Sequence, residues 1–321
     1  VEQLLFTGLY DIVIVGAGPA GLSAAIFARA RTLKVAVLEA SQAGGQLTAL
    51  FPEKPLYNIP AVASSMAGEY ASNLIQQVRD EGAQLFEGQA VHSCLVCDDG
   101  MLSTVTGERV YHSKTVILAT GMGQMEPRRL GVEGEYELAG KDLVYAVNRV
   151  QDFAGQRVLV VGGGDAAVDN ALLLSRLASD VTLAHRGSDF KAQKRNLDQL
   201  PINGVRVLTN MRVSSLQRFG SGLRARLQTS DSPVELSIDV DRVVVNVGLV
   251  PNPGPLAEWG LKLEGKLISV DSEMKTSLPG VFACGDAVTY PGKLKMVVTA
   301  VGEAATAVNT GFRFLQARGQ L

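Results

Sequence analysis

Two short glycine-rich runs carry the first chemical signal, Gly16-Ala17-Gly18-Pro19-Ala20-Gly21 and Gly162-Gly163-Gly164-Asp165-Ala166-Ala167. In each run the first glycine permits a sharp strand-to-helix turn. The second lets the backbone approach a pyrophosphate, and the last position needs a small residue so that the helix can pack on the sheet. The amide-rich helix N-terminus that follows is an anion site. Alone, this spacing is a weak signal. Both runs, however, follow an apolar stretch and open a helical one, the context that makes them dinucleotide fingerprints.

The residue that closes the next strand separates the two sites. After the first run it is Glu39. An acid there accepts hydrogen bonds from the adenosine ribose and repels a 2′-phosphate, so FAD or NAD is expected and NADP is not. After the second run it is His185-Arg186, with Lys191 a little further on. Cations there pair with a 2′-phosphate, which favours NADPH. The plainer alternative is that Arg186 is one more exposed base. Three further strand ends stand out: Leu118-Ala119-Thr120-Gly121, Val245-Asn246-Val247-Gly248 and Phe282-Ala283-Cys284-Gly285-Asp286. Asp286 could bond the ribityl hydroxyls of a flavin or simply cap a turn.

The elements that must hold these residues are legible as a repeated pattern. Residues 11–16 read as a buried parallel strand, since Ile12 to Val15 run without polar alternation. A helix over 20–31 and a strand over 34–39 follow, and the order recurs as a strand over 157–161, a helix over 166–177 and a strand over 180–185. Two such βαβ units imply an α/β fold of two doubly wound, Rossmann-like, three-layer domains. Residues 83–114 suit a β-meander with turns at Asp98-Asp99-Gly100 and Thr106-Gly107-Glu108. Strands at 222–228, 233–238 and 242–246 suit a second meander. The last stretch, 280–286 and a helical pattern from about Gly302 to Leu315, has no fingerprint of its own. It is expected to return to the first domain, which makes the second an insertion: 1–122 with 249–321, and 123–248, crossing near 121–125 and 248–253.

Composition sets outer bounds. A chain of 321 residues, 46% hydrophobic and 19% charged, suits two globular cores. It has no apolar run long enough to span a bilayer, and residues 1–10 lack the pattern of a signal peptide. Cys94, Cys97 and Cys284 do not form a disulfide framework, so the cytoplasm is the expected compartment. With His92, His112 and His185 also scattered, no metal site is expected. The net charge is −2, yet residues 186–226 hold nine basic and two acidic residues. That stretch is either a solvated face or a surface for a phosphate-bearing cofactor or acidic partner. No nucleic-acid motif accompanies it.

Several stretches resemble the thioredoxin-reductase-like two-dinucleotide flavoproteins, and within them the ferredoxin–NADP+ reductases of that type. They are Gly44-Gly45-Gln46-Leu47-Thr48-Ala49-Leu50-Phe51-Pro52-Glu53-Lys54, Glu126-Pro127-Arg128-Arg129-Leu130-Gly131, and Cys284-Gly285-Asp286 leading to Thr289-Tyr290-Pro291-Gly292-Lys293. The resemblance implies FAD along the first domain and NADPH on the inserted one. Hydride would pass from nicotinamide C4 to flavin N5, with no general acid or base required. Electrons would then pass to an acidic carrier, ferredoxin or flavodoxin, and a homodimer is expected. For FAD it implies Gly16, Gly18, Pro19, Ala20, Gly21 and Glu39, then Gly45, Gln46, Leu47 and Phe51. Tyr57, Val91, Ala119, Thr120, Gly121, Gly285 and Asp286 complete that shell. For NADPH it implies Gly162, Gly164, Asp165, Ala166, His185, Arg186 and Lys191.

Thioredoxin reductases carry a redox Cys-x-x-Cys just before the second fingerprint, and the matching stretch 143–155 has no cysteine. Cys94-Leu95-Val96-Cys97 lies in a meander strand, where positions i and i+3 face opposite ways. A disulfide or quinone reductase is therefore the second reading. A flavin-binding redox sensor without efficient NADPH use is the third. Gly187 and Lys191 motivate it, because the family usually has arginine at both places, and lysine lacks the bidentate fork. Phe51 can stack on a flavin without the hydroxyl often found there. The family often adds a C-terminal ring on the other flavin face; with the sequence ending at Leu321, that face is expected to be more open unless a further segment follows.

Overall fold

The computed structural model describes residues 5–62, 65–97, 99–107, 109–229, 235–252 and 254–321. Asp98 and Glu108 of the two expected turns, residues 233–234 of an expected strand and Pro253 of a crossing lie outside the described residues. The chain divides into two compact units, Val1–Gln124 with Pro251–Leu321, and Met125–Val250.

Ile12, Val13, Ile14 and Val15 are all buried, as a strand covered on both faces requires. That strand, β1 (Leu5–Val15), leads into α1 (Pro19–Arg29) and β2 (Val35–Leu38). Pro19 suits the first helical turn, where its missing N–H costs nothing. A short α2 (Gln46–Ala49), then α3 (Ala67–Asp80) and β3 (Gln84–Phe86), follow. β1 pairs parallel with β2, and β2 with β3. The meander is β4 (Ser93–Val96), β5 (Leu102–Val105) and β6 (Arg109–Leu118), all antiparallel. β6 also runs parallel to β1 along most of its length. It thereby carries the meander into the doubly wound sheet.

The second unit holds β7 (Leu143–Val144), β8 (Arg157–Gly162), α4 (Asp165–Leu174), β9 (Asp180–Ala184), α5 (Lys194–Ile202) and β10 (Arg206–Leu208). Its meander is β11 (Met211–Phe219), β12 (Gly222–Thr229) and β13 (Glu235–Val240), and β14 (Arg242–Asn246) returns to the sheet. The sheet is parallel throughout, in the order β7-β14-β8-β9-β10. Alternation along β8 explains its unbroken apolar sequence. Val158 and Val160 pack with Ala167, Ala171 and Leu174 of α4, whereas Leu159 and Val161 pack with Leu216, Ala225 and Leu227 of the meander. The layers are helices, sheet, meander. Within this unit the entering and leaving segments lie together, Arg128 donating its N–H to the Gly248 carbonyl at 3.0 Å.

The returning chain adds β15 (Val281–Ala283), parallel to the end of β6, and α6 (Val297–Ala317), packed on α1. The expected start of α6 near Gly302 is five residues late. Met296 gives no side-chain cap and the first turn has no acid, so the usual start signals are missing. The fold is that of two doubly wound α/β units, the second inserted in the first.

Candidate functional site

At the first glycine turn, sterics fix two of the three glycines. Gly16 has φ +102°, and a Cβ there would fall 2.4 Å from the Ala119 carbonyl oxygen. A Cβ on Gly21 would fall 1.9 Å from the Gly16 carbonyl oxygen, so α1 crosses directly over the turn. Gly18 differs. A Cβ there would meet only Gly45 Cα, at 3.9 Å, leaving the backbone open at the head of a helix with no side-chain cap. This is the opening a pyrophosphate needs.

Glu39 is bonded into that turn. Its Oε2 accepts the Ala17 N–H at 2.8 Å and its Oε1 the Ser41 N–H at 3.0 Å. Each oxygen keeps a further lone pair. The Gly44-Gly45-Gln46-Leu47 stretch docks on the same turn. Gly44 donates its N–H to the Ala17 carbonyl at 2.8 Å, and a Cβ on Gly45 would come 2.9 Å from Gly18 Cα. Gln46 opens α2, and Leu47 packs on Leu56, Ile59 and Ala67. Phe51 lies just beyond α2, with Lys54 Nζ 5.9 Å from its ring centre. Val91 packs against the core of this unit, whereas Tyr57 is 71% exposed.

Ala119 and Thr120 close β6 against Gly16, and Gly121 follows with φ +59°. The Thr120 hydroxyl is buried without a hydrogen-bond partner. A buried hydroxyl without a partner beside the glycine turn is what a hydroxylated, phosphorylated ligand would satisfy. From the other side, a Cβ on Gly285 would fall 2.8 Å from Ala20 Cβ, so the Gly285–Ala287 turn abuts α1. Asp286 next to it is half-buried. Burial pushes its carboxyl above the usual carboxylate range, opposed by the nearby Lys293 and Lys295 ammoniums. The residues present therefore fit an FAD-type dinucleotide.

The second turn repeats the plan with one addition. A Cβ on Gly162 would fall 2.3 Å from the Asn246 carbonyl oxygen, and α4 again starts at a glycine, Gly164, without a side-chain cap. Asp165 accepts the Gln193 N–H at 2.8 Å, and Lys191 donates its N–H to the Gly163 carbonyl at 2.7 Å. Residues 191–193 are thus strapped to the turn, which brings Lys191 beside Gly164. Ala166 is half-buried and Ala167 fully buried on α4. The addition is His185. Its ring lies over Gly163, where a Cβ would fall 2.1 Å away, and stacks on Phe190 at 4.9 Å. Its Nε2–H donates to the Asp189 carbonyl at 3.1 Å. Gly187 borders the same ring, with a Cβ 3.0 Å from Nε2, so the ring crowds a side chain there. Arg186 is exposed at the strand end.

Four of the nine basic residues of the 186–226 stretch are paired with acids. Lys194 pairs with Asp198 at 3.0 Å, Arg218 with Asp142 at 2.5 Å, Arg224 with Asp239 at 2.7 Å and Arg226 with Glu235 at 3.6 Å. Three of these acids lie outside residues 186–226, where no window count could find them.

A family model for the pyridine nucleotide-disulphide oxidoreductases matches residues 10–304. The chain belongs to this family. It is 39% identical over 309 residues to a ferredoxin–NADP reductase of Halalkalibacterium halodurans, covering 96% of this chain and 94% of the relative. It is 38% identical over 311 residues to ferredoxin–NADP reductase 2 of Listeria monocytogenes, with the same coverage of 96% and 94%. Among solved structures, thioredoxin reductase of T. acidophilum aligns with TM-score 0.83 at 29% identity, covering 95% of this chain and 98% of that one.

Within such a family the cysteines matter most. Cys94 lies in β4 opposite Thr104 and is buried, while Cys97 stands just past the strand and is half-buried; both are free thiols. Burial pushes the Cys94 thiol up to about 11. Cys284, next to Gly285, is fully buried, and burial with the nearby Glu303 pushes it up to about 12. Among the described residues no three His, Cys, Asp or Glu side chains gather as a metal site requires. Likewise no helix is long and apolar enough to cross a membrane. Sequence reasoning missed Glu303, 5% exposed inside α6, which accepts the Gly285 N–H at 2.8 Å. It also missed Glu87, which accepts the Ala43 N–H beside the Gly44 turn at 2.6 Å. Neither acid belongs to a motif, and Glu303 is buried whereas Glu87 is exposed, so both are visible only once the elements are packed.

Proposed function

We propose that the protein is an NADPH-dependent FAD oxidoreductase that delivers electrons to a small one-electron carrier, ferredoxin or flavodoxin. The observation that carries this reading is the placement of the thiols. The stretch 143–155 ahead of the second glycine turn has no cysteine, and the only cysteine beside the first site, Cys284, is a buried thiol held protonated. A dithiol relay needs two cysteines within disulfide reach of each other, and Cys284 stands there without a second. The names of the two relatives, ferredoxin–NADP reductases, agree with this choice of acceptor.

FAD is assigned to the unit formed by Val1–Gln124 and Pro251–Leu321, and NADPH to Met125–Val250. Gly18 and the α1 N-terminus would receive the pyrophosphate, Glu39 the adenosine ribose, and Thr120 and Asp286 further hydroxyls. Gln46 and Phe51 would border the ring system. In the second unit Gly164 and the α4 N-terminus would receive the pyrophosphate, and Arg186 with Lys191 the 2′-phosphate. Bound FAD would supply the hydride acceptor and the means of releasing electrons singly. One NADPH would then reduce two carrier molecules and release one proton. The chain's own part is binding, orientation and charge.

Cytochrome c reduction by NADPH tests this reading, measured with and without an acidic ferredoxin. The rate is expected to rise steeply with ferredoxin. An unchanged rate, alongside rapid NADPH oxidation with a disulfide or quinone acceptor, overturns the acceptor assignment.

A further inference from the structure

Tyr290-Pro291-Gly292-Lys293 is a tight turn, with Gly292 at φ +83° and the Lys293 N–H donating to the Tyr290 carbonyl at 3.1 Å. Proline followed by a glycine of positive φ is the type II signature. The turn sends two side chains to one acid. Tyr290 donates its hydroxyl to Glu303 Oε1 at 2.6 Å, and Lys293 Nζ donates to both carboxylate oxygens at 2.5 and 2.7 Å. Glu303 Oε2 also accepts the Gly285 N–H at 2.8 Å. Lys293 and Glu303 are 7% and 5% exposed, whereas pairs such as Lys114–Asp11 and Arg157–Asp241 keep 20% or more of each side chain exposed.

A buried ion pair is a poor way to gain stability, because desolvation offsets the attraction. Its position is what calls for a reason. Gly285 sits against Ala20, at the head of α1, and Asp286 is the next residue. Glu303 therefore fixes the backbone from which Asp286 projects. A lone buried carboxylate there would add a second negative charge beside Asp286. In a low-dielectric interior that charge would act at full strength on any ligand being reduced nearby. Lys293 cancels it. Lys295 is the other cation near Asp286, and Tyr290 stays neutral, its hydroxyl pushed up to about 12 by burial and the Glu303 hydrogen bond.

We infer that Glu303 and Lys293 form a charge-neutral anchor, which positions the Gly285–Asp286 turn and sets the electrical potential at that end of the first site. The inference rests on the assignment of FAD to this unit. Glu303 is a positioning residue, and Lys293 keeps its charge from opposing flavin reduction.

The purified holoenzyme offers two readouts besides turnover: FAD affinity by flavin fluorescence, and the flavin midpoint potential by dye-coupled titration. Glu303→Ala is expected to weaken FAD binding, while Glu303→Gln, whose amide oxygen can still accept the Gly285 N–H, keeps it. Glu303→Gln leaves Lys293 uncompensated and is expected to raise the potential by at least a tenfold change in the two-electron equilibrium, about 30 mV. Glu303→Gln/Lys293→Met removes both charges without opening a cavity and is expected to return the potential toward the wild-type value. The double variant also guards against misfolding of a single one. A Glu303→Gln potential equal to wild type, or a double variant shifted as far as Glu303→Gln, overturns the inference alone. Wild-type protein that binds no flavin overturns the FAD assignment on which it stands.

Discussion

Under the proposed function Arg186 favours NADPH, whereas Gly187 beside it offers no cation. Arg186 stands two residues past β9, and under the same proposal Arg186→Ala should remove a charge-assisted contact of about 1.5–3 kcal/mol to a 2′-phosphate. The KM for NADPH is expected to rise roughly ten- to a hundredfold, with the KM for NADH almost unchanged. Equal effects on both cofactors would show that Arg186 does not read the phosphate. The thiols give a second test at this scale. With Cys94 and Cys284 buried and their thiols pushed up to about 11 and 12, Ellman's reagent at pH 8 should label Cys97 readily and the other two only on unfolding. Two fast thiols appearing after NADPH reduction would instead mean a disulfide had been opened. The turn positions of the fingerprint glycines and of Glu39 were legible because each is set by local spacing along one βαβ unit. The His185 ring over Gly163 was not, since a glycine of the fingerprint itself gives no sign of which side chain needs its space.

Elements are held by residues that no motif marks. The single helical turn Glu135–Leu138 carries one such residue, Glu135, only 3% exposed. Its oxygens accept the Leu130 N–H at 2.8 Å, the Gly131 N–H at 2.7 Å and the Tyr145 hydroxyl at 2.9 Å. Burial and this bond push the Tyr145 hydroxyl up to about 12, so it remains a donor through the physiological range. Glu135→Ala should destabilise the second unit by about 2–4 kcal/mol through the donors left without an acceptor, with Glu135→Gln costing less. Urea unfolding followed by circular dichroism measures both, and near-zero loss for Glu135→Ala would show the network to be dispensable. Strands proved easier to read than helix starts. Buried parallel strands announce themselves as apolar runs such as Val158–Val161, whereas α6 begins at Val297 with neither cap nor acid.

For the whole molecule, the informative feature is the pairing at the Arg128 N–H and Gly248 carbonyl, where the second unit begins and ends. Neighbouring strands lie about 5 Å apart, so both ends of the inserted unit emerge at one spot. A protein of residues 125–250 alone has its own two cores, one on each face of its sheet, and should fold cooperatively and bind NADPH without flavin. Thermal melting with and without NADPH checks this, and an unfolded fragment would mean that the unit depends on its host. If it folds, the inserted unit is a self-contained cassette. Nicotinamide specificity could then be changed by replacing one continuous gene segment, with the flavin-holding residues untouched.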